Sequence, residues 1–225
     1  MQFNKKISSL SRFERRLLAS KAVLLALVVL VAPTQLFKPG SAHVIERDDG
    51  ANPRETFELM RIYPVVRRAM AEASDNSVWA ISKTILQESK RHSLDPLLVL
   101  AIIAVESGFQ HAAASPAGAR GLMQIQPYIA REIADQRRSM YRADRQISHD
   151  HPDLDNPIVN IKLGVFYLHS LRQSFRDLKL VLAAYNRGPT GVKNQLAEKV
   201  DVPQEYATKV LSTYQGYRRG SRQPS

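Results

Sequence analysis

The chain has 225 residues, of which 44% are hydrophobic and 24% are charged, and its formal net charge is +11. These values allow one domain with a sizeable core plus appended segments. The chain has no cysteine, which excludes disulfides, thiolate metal sites, cysteine nucleophiles and a lipid anchor on cysteine.

Residues 1–42 predict a targeting segment that is not part of the fold. Six basic residues precede an uninterrupted apolar run of 11 residues at 22–32. This run is shorter than the roughly 20 apolar residues that span a bilayer, and it matches the apolar region of a secretory signal peptide. Small residues at 40–42 suit cleavage. Because residues 17–19 lengthen the apolar stretch, an uncleaved N-terminal signal anchor is the second interpretation.

The charge divides unevenly between this leader and the remainder. Residues 1–42 hold seven Lys/Arg against one acid, a net of +6, which leaves +5 for the rest of the chain. A modestly basic protein is attracted to an anionic polymer or a membrane surface. No basic stripe is interleaved with aromatic residues, so we predict no nucleic-acid partner.

Beyond the leader the apolar spacing is helical throughout, and it predicts a mostly α fold with at most a small β-hairpin. We expect a linker and N-terminal helix at 43–75, a catalytic domain at 76–217 and a basic tail at 218–225. Asn76 is the expected cap of the second helix, and Pro64 is expected to kink or split the first. The predicted helices cover 54–73, 76–92, a segment starting at the Asp95-Pro96 pair, 127–140, 157–175, 177–185 and 203–217, with a polar loop at 141–156.

The helix that begins at Pro96 carries the most informative residue. Residues 97–105 have no polar face, and a helix that is apolar all round is buried all round. Glu106 ends this helix. Apolar surroundings and the negative end of the helix dipole both disfavour a carboxylate, so we expect a raised pKa and a role as general acid. A helix-terminal glutamate paired with a nearby arginine is the structural alternative.

Two later segments hold further candidates. Ser115 opens a loop of small residues that ends at Gly121, where glycine permits positive φ and close approach of a ligand. Gln124 can both donate and accept hydrogen bonds through its amide, as a sugar acetamido group requires. Tyr185 and Asn186 end a short apolar helix. Taken alone, they are equally consistent with a core tyrosine and a helix C-cap.

Four segments together resemble one known family, the soluble lytic transglycosylase catalytic domain, over about residues 76–217. The resemblance implies a lysozyme-like, mostly helical fold with a substrate cleft. The matching segments are Glu106-Ser107-Gly108-Phe109, then Ser115 with Gly118-Ala119-Arg120-Gly121-Leu122-Met123-Gln124, then Asn160-Ile161 with Gly164 and Tyr167-Leu168, and finally Ala184-Tyr185-Asn186-Arg187-Gly188-Pro189.

The resemblance also implies an activity and its residues. Members cleave the β-1,4 bond between N-acetylmuramic acid and N-acetylglucosamine of peptidoglycan without water, leaving a 1,6-anhydromuramoyl end. Glu106 would be the catalytic acid and then base, and Ser115, Gln124, Tyr185 and Asn186 would bind substrate. The implied location is the bacterial periplasm or cell envelope, with an inner-membrane anchor or association with an envelope-spanning machine as open possibilities.

Two features fall outside the family pattern, and two other functions compete with the one it implies. Arg187 stands where the family commonly has a small residue. Residues 148–155 contain histidines and aspartates, but Pro152 and the missing glycine fit a calcium loop badly, so we predict a solvated loop, no metal and no organic cofactor. A goose-type lysozyme-like hydrolase with a second cleft carboxylate is one competing function. A non-catalytic wall-binding or assembly protein is the other.

Overall fold

The computed structural model describes residues 52–136 and 151–220, and this part of the chain contains eight α-helices and no extended strand. The predicted leader and basic tail lie outside the described residues. The helices are α1 (Pro53–Ala69), α2 (Asp75–Arg91), α3 (Pro96–Glu106), α4 (Pro127–Gln136), α5 (Pro157–Ser174), α6 (Leu178–Arg187), α7 (Pro189–Ala197) and α8 (Glu205–Gly220).

Three of the helices begin in the same way, with a capping side chain followed by proline. Asn52, Asp95 and Asn156 each stand at the N-cap, with proline at the first helical position. Their side-chain oxygens accept backbone N–H groups of the first turn at 2.9–3.0 Å. The cap satisfies a donor that has no partner within the helix, and proline lacks the N–H that would otherwise need one. The start predicted at Asp95-Pro96 is confirmed.

One detail of the predicted helices is wrong, and one of the two effects predicted for Pro64 is ruled out. The N-cap of α2 is Ser74, whose Oγ accepts the Ser77 N–H at 3.2 Å, rather than Asn76. Pro64 does not split α1, which runs unbroken from Pro53 to Ala69. Proline removes one backbone hydrogen bond, but the packing of α1 against α2 holds the helix together. Of the helix predicted at 127–140, the described part ends at Gln136.

Helix α7 is an element that the sequence did not predict. Gly188, at φ 85°, is both the C-cap of α6 and the N-cap of α7, and Pro189 takes the first position of the new helix. A Gly-Pro pair is typical of a helix end, yet proline is also favoured at the first position of a helix. Consequently Gly188, rather than Asn186, caps α6.

Helix α3 lies at the centre of the fold. Seven of its eleven residues, 97–103, are buried, and it packs against α8, α2 and α1. Each fully buried aliphatic side chain stabilises the fold by roughly 1.5–3 kcal/mol, so this short helix contributes heavily to stability. The burial confirms what its uniformly apolar sequence predicts. It also gives the residue at its C-terminal end a rigid support.

Between α3 and α4 the chain forms a compact loop, residues 107–126. Isolated antiparallel bridges join Arg120 to Ala114 and to Ile125, so the β-hairpin that was thought possible is reduced to these contacts. Within residues 52–136 and 151–220, no helix is long and apolar enough to cross a membrane. The apolar run at 22–32 lies outside that search.

Candidate active site

Glu106 is the last residue of α3 and is half-buried. Burial raises the pKa of its carboxyl above 4.5, while the hydrogen bond from Tyr206 and the positive charge of Lys209 offset part of that rise. The direction agrees with the one predicted from the sequence. The result is an acid that holds its proton more firmly than an exposed glutamate but has neighbours able to stabilise its ionised form.

Tyr206, in the first turn of α8, holds the carboxyl in place. Its hydroxyl donates to Glu106 Oε1 at 2.5 Å, across a separation of 100 residues in the chain. Burial and the nearby Glu106 charge raise the pKa of the Tyr206 phenol well above its usual value, so it remains a donor. The sequence showed Tyr206 only as one of several apolar residues spaced along a helix. A hydrogen bond between residues 100 positions apart leaves no pattern in the sequence around either residue.

Ser107 fastens the loop to the end of α3. Its hydroxyl donates to the Leu122 carbonyl at 2.8 Å and accepts the Phe109 N–H at 3.1 Å. Gly108 and Phe109 both have positive φ, 58° and 68°, which turns the chain sharply after Glu106. These contacts fix the start of the loop, which follows Glu106 directly in the chain.

Asn160, fully buried on α5, supports the loop from below. Its Oδ1 accepts the Met123 N–H at 2.7 Å, and its Nδ2 donates to the carbonyls of Arg120 and Leu154 at 2.9 and 3.0 Å. Gly121, at φ 79°, lies so close that an added Cβ would be 2.1 Å from Asn160 Nδ2. The asparagine and glycine of the recognised pattern therefore have a structural use, which is to dock the loop on α5.

Gln124 and Ser115 both lie in this loop and are half-buried. The Gln124 amide nitrogen donates to the carbonyls of Ala113 and Gly121, both at 3.0 Å, so Oε1 is the amide atom left to accept a hydrogen bond. Ser115 Oγ accepts the Ala119 N–H at 3.0 Å, and its own proton stays available to donate. The loop thus presents one acceptor and one donor, fewer groups than the free side chains offer.

Tyr185 is buried, and its hydroxyl donates to the Met123 carbonyl at 2.9 Å. Its ring packs on Tyr167 with centroids 5.4 Å apart. Burial and the Glu106 charge raise the pKa of its phenol, which indicates that the ring lies within electrostatic range of the carboxyl. Asn186 follows it and is exposed at the end of α6. Tyr185 therefore packs in the core and links α6 to the loop through its hydrogen bond to Met123.

Two described acids of the predicted polar loop, Asp153 and Asp155, have partners in the fold. Asp155 forms an ion pair with Arg120, and Asp153 Oδ1 accepts the N–H groups of Asp155 and Asn156 at 3.1 and 3.3 Å. Over residues 52–136 and 151–220 no cluster of three or more His, Asp or Glu could hold a metal. Residues 148–150 of the candidate metal segment lie outside the described chain.

Comparison with known proteins gives a consistent result. A family model described as the transglycosylase SLT domain matches residues 83–207. Endo-type membrane-bound lytic murein transglycosylase A of Klebsiella pneumoniae is 42% identical over 79 residues, covering 35% of this chain and 36% of that protein. Membrane-bound lytic murein transglycosylase C of Actinobacillus pleuropneumoniae is 34% identical over 113 residues, covering 46% and 29%. The chain thus aligns with about a third of each relative's length.

Two solved structures share the fold. One is an inactive glutamate-to-glutamine mutant of the lytic transglycosylase Slt from Pseudomonas aeruginosa. It has a TM-score of 0.52 and 27% identity, covering 76% of this chain and 30% of the other. The second is the 70 kDa soluble lytic transglycosylase of Escherichia coli, with a TM-score of 0.52, 23% identity and coverage of 75% and 30%. The lysozyme-like helical fold predicted from the sequence is confirmed.

Proposed function

The chain belongs to the transglycosylase SLT family, and from that premise we propose that it is an exported lytic transglycosylase of the cell envelope. Its substrate is the glycan strand of peptidoglycan, cleaved at the β-1,4 bond between N-acetylmuramic acid and N-acetylglucosamine. The observation that carries the proposal is the half-buried Glu106 with a raised pKa, held by Tyr206 at the end of a rigid helix. The inactivity of the glutamate-to-glutamine mutant among its structural neighbours supports a glutamate-dependent reaction.

Glu106 acts first as an acid. Because Tyr206 donates to Oε1, the acidic proton resides on Oε2, from which it passes to the glycosidic oxygen. The bond from the anomeric carbon to that oxygen breaks, and the leaving sugar departs with a free hydroxyl. This step requires the protonated carboxyl, and burial favours that form because it raises the pKa of Glu106.

Glu106 then acts as a base. The hydrogen bond from Tyr206 and the charge of Lys209 both favour the carboxylate left behind. This carboxylate takes the proton of the C6 hydroxyl as its oxygen attacks the anomeric carbon and closes the 1,6-anhydro ring. No water is consumed, and the carboxyl returns to its starting state. One acid thus serves both steps, whereas the usual glycosidase plan requires two.

The loop and α6 position the sugar in this scheme. Ser115 offers a hydroxyl proton and Gln124 offers Oε1, a donor and an acceptor for the acetamido and hydroxyl groups of the substrate. Tyr185 forms a wall that keeps the loop in register, and the exposed Asn186 contacts the glycan at the rim. We assign no metal or organic cofactor to the reaction.

Product analysis on purified sacculi tests the proposal. Wild type is expected to release muropeptides with 1,6-anhydro ends, each lighter by one water than the reducing ends of a hydrolase. Glu106→Gln keeps the shape of the side chain and should release almost nothing. Reducing ends as the main product would instead establish a goose-type lysozyme-like hydrolase, and unchanged release by Glu106→Gln would reject the catalytic role of Glu106.

A further inference from the structure

The outer surface of α1 and α2 exposes large apolar side chains that the fold does not use. Phe57 and Met60 of α1 are 59% and 68% exposed, and Trp79 of α2 is 50% exposed. The ring of Tyr63 on α1 contacts the ring of Trp79 on α2, with centroids 6.0 Å apart. This contact links the apolar side chains of the two helices. We call these four residues the α1–α2 face. Grouped exposure of this kind marks a surface that binds something, because scattered single residues are the norm.

Phe57 and Met60 lie away from the side of α1 that packs on the core, while the half-buried Tyr63 borders that side. Leu59, Ile62 and Val66 are the buried residues of α1. Phe57 and Met60 are three residues apart and so lie on one side of the helix, directed away from that buried stripe. Replacing them with polar residues would leave the core intact. Their apolar character therefore needs another explanation.

Unpaired cations border the α1–α2 face. Arg68 lies three helical turns from Phe57 on the same side of α1, and Lys83 lies one turn from Trp79 on α2. Neither forms a salt bridge within the described residues. The neighbouring carboxylates Glu55, Glu58 and Asp75 are paired with Lys90, Arg61 and Arg67, whereas the exposed Glu72 has no salt bridge within the described residues.

We propose that the α1–α2 face docks on an anionic lipid surface. Aromatic and thioether side chains insert shallowly at a membrane interface, while the basic groups around them reach the phosphate headgroups. A protein partner would also cover an apolar face, but the two unpaired cations favour a surface of negative charge. The charge pattern and the aromatic content thus point to the same occupant.

The position of the face along the chain supports this occupant. Residues 33–52 separate the apolar run at 22–32 from the start of α1. Twenty residues reach at most about 70 Å when fully extended. If the apolar run is held in a membrane, the α1–α2 face is the nearest described apolar surface along the chain.

Trp79 provides a direct test, because it is the only tryptophan in the chain. The full chain is reconstituted with vesicles of phosphatidylcholine alone or with added phosphatidylglycerol. With the anionic vesicles, we expect the Trp79 emission to shift to shorter wavelength and to be quenched by brominated acyl chains. Unchanged emission in protein that sediments with anionic vesicles would overturn the proposal. A shift without quenching would also overturn it, since it would show contact with protein, such as a second copy.

Matched variants distinguish docking through the α1–α2 face from nonspecific adsorption to the vesicles. Phe57→Ser combined with Met60→Ser should abolish the quenching, and Lys83→Gln should weaken docking by about fivefold. Leu196→Ser changes a residue of α7 that is also exposed, at 45%, but lies outside the face, and it should leave the signal unchanged. If Leu196→Ser removes the quenching as fully as the double variant does, the docking is not specific to the α1–α2 face and the proposal fails.

Discussion

At each end of α3 a carboxylate accepts a hydrogen bond from a tyrosine of α8, yet the two ends have opposite consequences. Asp95 caps the N-terminus, where its Oδ1 accepts the Leu97 N–H and its Oδ2 accepts the Tyr214 hydroxyl at 2.5 Å. Glu106 ends the C-terminus and accepts the Tyr206 hydroxyl. The two tyrosines are eight residues apart, so α8 lies along α3 and contacts both carboxylates.

The helix itself distinguishes the two ends. At the N-terminus, unpaired N–H groups and the positive end of the dipole stabilise a carboxylate. At the C-terminus the dipole opposes it, and burial raises the pKa of Glu106 further. A carboxylate that costs stability where it stands has a use beyond the fold. The same chemical pair is thus structural at Asp95, whereas at Glu106 it belongs to the proposed active site.

Removing each carboxylate in turn is the strongest test of this contrast. Glu106→Gln should lower turnover of sacculi by about 10²–10⁴-fold, the usual contribution of a general acid, and leave the folded structure intact. Asp95→Ala should leave turnover per folded molecule unchanged and lower the free energy of unfolding by about 1–2 kcal/mol through loss of the cap. Turnover assays and chemical denaturation measure both. A comparable loss of turnover in Asp95→Ala would break the comparison.

Two glycine substitutions compare the loop that follows Glu106 with a helix outside the site. Gly121→Ala forces a left-handed φ and brings a Cβ within 2.2 Å of the Leu154 carbonyl, so it should destabilise the protein by more than about 2 kcal/mol and reduce turnover. Gly191→Ala, inside α7 with open space around it, should stabilise the protein by about 0.5–1 kcal/mol. Thermal melts of the pair measure this. Equal melting temperatures would show that the loop is not clamped on α5.

The two tyrosines form the next pair. Tyr206→Phe removes a hydrogen bond that lowers the pKa of Glu106, so the alkaline limb of the pH–activity profile should move to higher pH. Turnover should fall by about tenfold as the carboxylate loses its support. Tyr214→Phe should cost about 1–2 kcal/mol of stability and leave the profile in place. An unmoved profile in Tyr206→Phe would remove Tyr206 from the mechanism.

The smallest effect is on stability as a function of pH. The pKa of Glu106 is raised in the folded state, so above pH 4.5 the unfolded chain loses this proton first. The free energy of unfolding of wild type, relative to Glu106→Gln, should therefore fall as pH rises from 4.5 to the raised pKa, and then level off. Denaturation of both proteins across that window measures the difference. A difference that rises with pH would show that the folded state favours the carboxylate.

Local sequence predicted much of this molecule because the relevant physics is local. The uniformly apolar stretch at 97–105 indicated a buried helix, and the Asp95-Pro96 pair marked its start. The raised pKa of Glu106 followed from burial and helix polarity. The predicted cap of α2 was wrong, because serine and asparagine cap helices equally well. Helix α7 was not predicted, because a Gly-Pro pair can end one helix while starting another.

Partners of the site residues could not be predicted in this way. The hydrogen bond from Tyr206 crosses 100 residues, and that from Tyr185 to the Met123 carbonyl crosses 62. The Gln124 amide nitrogen is committed to two backbone carbonyls, which its sequence position does not reveal. Such contacts depend on how helices pack and how the loop docks on Asn160. The substrate roles of Ser115, Gln124, Tyr185 and Asn186 stay predictions.

The sequence by itself singled out Glu106 as the candidate acid and determined the helix on which it stands, since hydropathy and capping act over a few neighbouring residues. Only the tertiary structure decided which side chains hold that acid, because α8 must first lie along α3 before Tyr206 and Lys209 can reach Glu106. The function proposed for this protein depends on both levels. Burial raises the pKa of Glu106 and so favours the protonated acid, whereas Tyr206 and Lys209 favour the carboxylate that remains after proton transfer.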